Sequence, residues 1–229
     1  MKRDIAHAIA FRLLYLVLGA LLMLGALYLG AREQPSQSTP PIAPCETAHY
    51  IQQTGLHAIY PTLPGQIVML GDSITQPVDW RALLNRDNVV NRGIRGDTAA
   101  CALQRIDEIT ALKPATVCIM LGINDVVRGV PVAEIADNYY RIIDALATTG
   151  SRVIVQSTLR VGPTYPNAET VNAGVDALNA ALADYAHSHD LIFLDLNVVI
   201  TPDMLSFDGV HPDVAAYAEW RDALAPLLP

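Results

Sequence analysis

The chain is poor in cysteine, in basic patches and in clustered metal ligands. Three cysteines in 229 residues make no disulfide framework. Cys118 sits inside an apolar strand and reads as a small core residue. Cys45 lies near a linker and Cys101 on an expected helix. A Cys45–Cys101 bridge is open to a chain outside the cytoplasm, but the unbridged reading is preferred. The formal net charge is −8, and no basic stripe is visible. That balance argues against nucleic acid as a partner. No His, Cys and carboxylate residues cluster at metal-ligand spacing, so no metal is expected. Gly93-Ile94-Arg95-Gly96 is too thin for a dinucleotide loop, and no P-loop is present, so no cofactor is expected either. The serine elbow Gly-x-Ser-x-Gly is also missing, because Thr75 stands where its second glycine belongs.

What the chain does have begins with an apolar run. Residues 13–31 carry no charged side chain, close to the roughly 20 residues that span a bilayer. Lys2, Arg3 and Arg12 precede the run, whereas Arg32 and Glu33 follow it and cancel. The positive-inside bias then leaves residues 1–12 in the cytoplasm and the rest of the chain outside. A single-pass anchor is the preferred expectation. A cleaved signal peptide, and hence secretion, is the alternative, disfavoured by a long run and a poor exit at Leu29-Gly30-Ala31. Residues 32–46, rich in Pro, Ser, Gln and Thr, read as an extended tether. The remainder, 47–229, suits one globular domain.

In that domain strands and helices alternate. Ile67–Leu70, Val89–Asn91, Val117–Leu121, Val153–Val155 and Leu191–Leu194 are short apolar strands. Helices are expected around Trp80–Leu84, over Thr98–Leu112 with Asp97 or Thr98 as cap, from Pro131 to Gly150, and on the stripe Val175, Leu178, Leu182 and Tyr185; Val214, Tyr217, Trp220 and Leu224 belong to a final helix. Five such strands separated by helices form a parallel sheet covered on both faces, an α/β fold. Sites in such sheets form beyond the carboxyl ends of the strands.

Those ends carry the candidate chemistry. Ser73 follows the first strand in Gly71-Asp72-Ser73-Ile74-Thr75, placed as a nucleophile or merely as a helix cap. His211 lies in Phe207-Asp208-Gly209-Val210-His211-Pro212. Asp208, three residues earlier, can accept from its Nδ1–H and fix the tautomer a general base needs. Asp195 is a more distant candidate acid. Ser73 N–H, Gly93 N–H and the Asn124 amide are candidate donors to an oxyanion. Taken singly, Gly93 and Asn124 read more readily as turn residues; the case for them rests on all of these groups falling at successive strand ends.

Four blocks carry a resemblance: Gly71-Asp72-Ser73-Ile74-Thr75; Asn91-Arg92-Gly93-Ile94-Arg95-Gly96-Asp97-Thr98; Gly122-Ile123-Asn124-Asp125; and Asp208-Gly209-Val210-His211-Pro212. From about Gly65 onward the chain resembles the SGNH hydrolases, or GDSL-type esterases and lipases. Its second block looks like the branch containing platelet-activating-factor acetylhydrolase-like esterases. The resemblance implies a three-layer α/β/α flavodoxin-like fold and cofactor-free hydrolysis of esters and thioesters. It implies Ser73 as nucleophile, His211 as base and Asp208 as orienting acid, with Ser73, Gly93 and Asn124 forming the oxyanion hole. Arg95 departs from the small or neutral residue of many relatives.

The expected protein is therefore a membrane-tethered esterase working outside the cytoplasm on a small-molecule, glycan or lipid ester. Short acyl groups, such as acetyl esters, or lysophospholipids fit best. An acyltransferase with a sugar or lipid acceptor would use the same triad. A non-catalytic anchored binding module is the remaining alternative.

Overall fold

The computed structural model describes residues 43–61 and 63–229, together with the single positions Leu18 and Met23. Apart from those two positions, the apolar run 13–31, the segment before it and the tether as far as residue 42 lie outside the described residues. Among the described residues, no helix is long and apolar enough to cross a membrane.

The domain opens with a 3-10 turn, Pro44–Glu46, and helix α1, Ala48–Ile59. Strand β1, Ile67–Gly71, follows, then α2, Trp80–Leu84, and β2, Val89–Gly93. Helices α3, Ala99–Gln104, and α4, Ile106–Thr110, lead to β3, Thr116–Met120. Helix α5, Ile123–Val127, and the long α6, Val132–Ala147, precede β4, Arg152–Gln156. Helix α7, Ala168–Ser188, strand β5, Ile192–Leu194, and α8, Val214–Leu224, complete the chain. The expected α/β architecture is present: five parallel strands in the order β2-β1-β3-β4-β5.

Alternation along the strands divides the core in two. Val68, Leu70, Val117, Ile119, Val153 and Val155 face one side, where α3, α4 and α6 cover them with Ala102, Ile106, Ile109, Ile135, Tyr139 and Ile142. Ile67, Met69, Cys118, Met120 and Ile154 face the other, against Trp80 of α2 and Trp220 and Leu224 of α8. Strands buried on both faces must be apolar at every position, and β1 and β3 are buried throughout. From the adjacent strands β1 and β3 the chain continues to β2 on one side and to β4 on the other. The sheet therefore has its topological switch between them, where such folds open a crevice.

Two local expectations change. The single helix over Thr98–Leu112 is two helices broken at Arg105, whose φ of −104° and ψ of 14° leave the helical region. Its guanidinium is drawn inward to Asp97, with Nη2 2.7 Å from Oδ2. Finally, Cys45 and Cys101 are joined in a disulfide with Cα atoms 5.4 Å apart. Helix α1, unmarked by any strong apolar stripe, lays the 3-10 turn against α3; Tyr50 Oη donates to Cys101 O at 2.8 Å and the two pack with Ile94. That packing brings the two thiols together across 56 residues.

Candidate active site

The first strand delivers Ser73 to the switch point. Beyond Gly71 the chain turns, with Asp72 Oδ1 accepting the Ile74 N–H at 2.9 Å and Asp72 O accepting the Gln76 N–H at 2.9 Å. Such an aspartate turn leaves the next side chain facing outward. From α8, Tyr217 Oη donates to Ile74 O at 2.7 Å and fastens the turn from the far side.

The loop before α8 supplies the partners. Leu205 and Pro212 pair as an antiparallel bridge, with Ser206 N–H donating to His211 O at 2.7 Å. This small hairpin points His211 at Ser73: Oγ lies 2.9 Å from Nε2. His211 Nδ1 lies 2.6 Å from Asp208 Oδ2. An ionised carboxylate only accepts, so Nδ1 carries the proton and Nε2 is left to accept from the serine hydroxyl. The other Asp208 oxygen accepts from Ser206 Oγ at 2.8 Å, Val210 N–H at 2.9 Å and His211 N–H at 3.0 Å. Slight burial pushes the Asp208 carboxyl up, but these donors and the imidazole outweigh it and hold the group well below the usual carboxylate range. The loop is steadied from behind, where Gly162 N–H, beyond β4, donates to Gly209 O at 2.7 Å. Asp195 lies elsewhere, capping Asn197 N–H at 3.0 Å after β5.

Ser73, Asn124, Asp208 and His211 line one open cleft of about 680 Å³, with Pro77, Arg95, Gly96, Pro212 and Tyr217. Gly93 does not join them. Its N–H donates to Asn91 Oδ1 at 2.8 Å. A Cβ on Gly93 would lie 2.6 Å from Gln76 N, so the residue is glycine because two backbones touch there. Gly96 occupies the cleft wall in its place, at a φ of 77° that favours glycine. Among the described residues, neither Gly96 N–H nor Ser73 N–H has a protein acceptor. A signal for Gly96 was available: it ends the turn just before Asp97 and the Thr98 cap, where a free amide precedes a helix.

Asn124, after β3, spans the floor. Its Nδ2 donates to Asp72 Oδ2 at 3.2 Å and to Asp97 O at 3.0 Å. Both hydrogens of its amide are engaged in these two contacts. Three carboxyls lie beneath it. Burial first, and then their mutual repulsion, raises Asp72 to about 7 and Asp125 to about 6. Burial also raises Asp97 to about 6 against the pull of Arg105. Asp125 accepts the Ala99 N–H with both oxygens, at 3.2 and 3.1 Å, and so ties α5 to the start of α3.

Chemically, the arrangement offers a hydroxyl bonded to a neutral imidazole, a carboxylate behind that imidazole, and amide donors across the cleft. Residues 69–219 match the model of the GDSL-like lipase/acylhydrolase family. The chain is 29% identical over 180 residues to esterase TesA of Pseudomonas aeruginosa, covering 71% of this chain and 87% of that protein. It is 28% identical over 162 residues to an arylesterase of Vibrio mimicus, covering 64% and 80%. Its fold is shared with a GDSL-like lipase from Bacteroides thetaiotaomicron, with a TM-score of 0.67, 20% identity and coverage of 78% and 96%.

Proposed function

The chain belongs to the GDSL-like lipase/acylhydrolase family and hydrolyses ester bonds; from that premise we propose that Ser73, His211 and Asp208 are its catalytic triad. The contact of 2.9 Å between Ser73 Oγ and His211 Nε2 carries the proposal. Nε2 takes the hydroxyl proton as Oγ attacks the ester carbonyl, and Asp208 stabilises the imidazolium that results. The tetrahedral oxyanion is met by Ser73 N–H, Gly96 N–H and the Asn124 amide. As the C–O bond breaks, the imidazolium returns its proton to the leaving alcohol. Water, deprotonated by the same nitrogen, then cleaves the acyl-serine.

The cleft is open and flanked by loops, with no separate lid domain among the described residues, which supports short acyl groups such as acetyl. The similarity to an arylesterase supports aryl esters as probes. The uncharged run 13–31, with basic residues before it, supports a single-pass anchor that leaves the domain outside the cytoplasm.

The test is hydrolysis of 4-nitrophenyl acetate by wild type and Ser73→Ala, with circular dichroism as the check on folding. Activity surviving in a folded variant would overturn the triad. For the anchor, the N-terminal sequence of the membrane-bound protein should begin at Met1 or Lys2; a start near Arg32 in the soluble fraction would mean cleavage.

A further inference from the structure

Two arginines flank the wall that faces Ser73, and the triad uses neither. Arg95 lines the cleft directly. Its backbone is held, since its N–H donates to Gln76 Oε1 at 2.9 Å, while its side chain is exposed. Arg128 comes from the end of α5. Its Nη1 donates to Asn124 O at 3.0 Å, which fixes the guanidinium against the same wall. Its Nη2 lies 3.9 Å from where a Cβ on Gly96 would stand.

Arg81, Arg105, Arg160 and Arg221 are matched by the carboxylates of Asp87, Asp97, Asp176 and Asp222, whereas among the described residues Arg86, Arg92, Arg141 and Arg152 form no ion pair with a side-chain carboxylate. Among the described residues, no carboxylate lies within ion-pair distance of Arg95 or Arg128. The nearby acids are otherwise engaged. Asp208 is bonded to His211, and Asp72, Asp97 and Asp125 are buried below the floor with their carboxyls pushed toward neutrality. Arg128 acts on Asp125 through that floor. In a chain of net charge −8, one arginine lining the cleft and a second beside its Gly96 wall form a local reversal of sign. A guanidinium anchored to a carbonyl retains free N–H donors for an oxyanion group.

We infer that Arg95 and Arg128 form an anion subsite beside Ser73, so that the preferred ester carries a fixed oxyanion substituent, a carboxylate or a phosphate, next to the scissile bond. This rests on the esterase reading of the same site, and the test separates the two.

Matched esters that differ only in charge provide the test: 4-acetoxybenzoate against its methyl ester, 4-acetoxyphenyl phosphate against its dimethyl ester, and 4-nitrophenyl hydrogen succinate against its methyl ester. The first two put carboxylate and phosphate on the alcohol side; the third puts a carboxylate on the acyl side. In at least one pair the anionic member should have the higher kcat/KM at low salt, by about tenfold. That ratio should shrink as ionic strength rises from about 0.01 to about 0.5 M. It should fall toward one in Arg95→Gln/Arg128→Gln and persist in Arg95→Lys/Arg128→Lys. Binding is read without turnover, by titrating the uncleaved amide 4-acetamidobenzoate against neutral 4-acetamidobenzamide. Ratios at or below one in every pair, or a preference that survives the double glutamine variant, would overturn the subsite while leaving the esterase standing. Salt-sensitive binding of the anionic amide without cleavage of any ester would sink the esterase reading and keep the subsite.

Discussion

Asn91 Oδ1 accepts the Gly93 N–H at 2.8 Å, while Asn91 Nδ2 lies within hydrogen-bond reach of Thr75 O, Gln76 O and Val78 O at 3.1, 3.0 and 2.9 Å. One side chain thus joins the end of β2 to the loop carrying Ser73, with the Gly93 backbone against Gln76. Gly93→Ala should act on stability, because the neighbour in the way is backbone and cannot swing aside. A loss of about 1–3 kcal/mol is expected, read from the urea midpoint. Asn124→Ala should act on rate instead, lowering kcat about 10²- to 10³-fold if its amide meets the oxyanion. Equal activity in Asn124→Ala and wild type would remove Asn124 from the oxyanion hole.

Asp208 holds both the imidazole and its own loop, and the two oxygens divide those tasks. Asp208→Asn should lower kcat by about three to four orders of magnitude, since the amide favours the wrong imidazole tautomer. Ser206→Ala removes only the hydroxyl that donates to Oδ1, while the Val210 and His211 N–H groups remain. Its kcat should fall less than about tenfold, consistent with the net worth of one hydrogen bond to a charged group shared among several. Steady-state kinetics on the two variants decides the division; a Ser206→Ala loss as large as that of Asp208→Asn would contradict it.

The sheet was readable because its strands are buried on both faces and therefore continuously apolar, as Val117 to Leu121 is. Ser73, Asn124, Asp208 and His211 were readable because each follows such a strand or a turn-rich loop, and chain order alone places them on one edge. Gly93 and Gly96 were not separable in the same way. They stand three residues apart in one turn, and only the fold-back of Asn91 onto Gly93 decides which amide stays free. The break at Arg105 depends on a carboxylate eight residues back, buried at Asp97. The Cys45–Cys101 bridge depends on α1, which buries only Tyr50 and His57 and so leaves little periodic trace.

That bridge closes a loop across 56 residues. Cross-linking a loop of this length restricts the unfolded chain and is worth about 4 kcal/mol in the chain-entropy view, with measured values of about 2–4 kcal/mol. Cys45→Ser/Cys101→Ser should lose stability in that range, and the wild type should lose the same amount in a reducing agent. Because α3 begins just after Gly96 and holds Cys101, the variant should also lose kcat before it loses structure. Urea unfolding with and without reductant checks the first expectation, and activity at low urea checks the second. A wild type indifferent to reductant would show that α1 is held by Tyr50 and the His57–Glu108 contact of 3.3 Å rather than by sulfur.

The buried carboxyl of Asp72 should leave a mark on stability as a function of pH. Its value is raised from 3.8 to about 7, by burial first and then by Asp97 and Asp125. Between those values the folded chain binds a proton that the unfolded chain has released. The stability that proton provides is complete below about pH 4 and is lost as pH rises toward about 7, by at most about 1.4 kcal/mol per pH unit for one group. Asp208 has the opposite sign, since its depressed value makes stability fall as pH drops. Absolute curves mix both with the raised carboxyls of Asp97 and Asp125, and the difference between wild type and Asp72→Asn isolates the share that depends on Asp72. That variant lacks the titrating group, so its stability relative to wild type should climb steadily from about pH 4 to about pH 7 and level off above. Urea denaturation of both proteins across this range measures the difference. A difference that does not change with pH would mean that Asp72 stays ionised in the fold, held by the Asn124 amide and the Ile74 N–H against its burial.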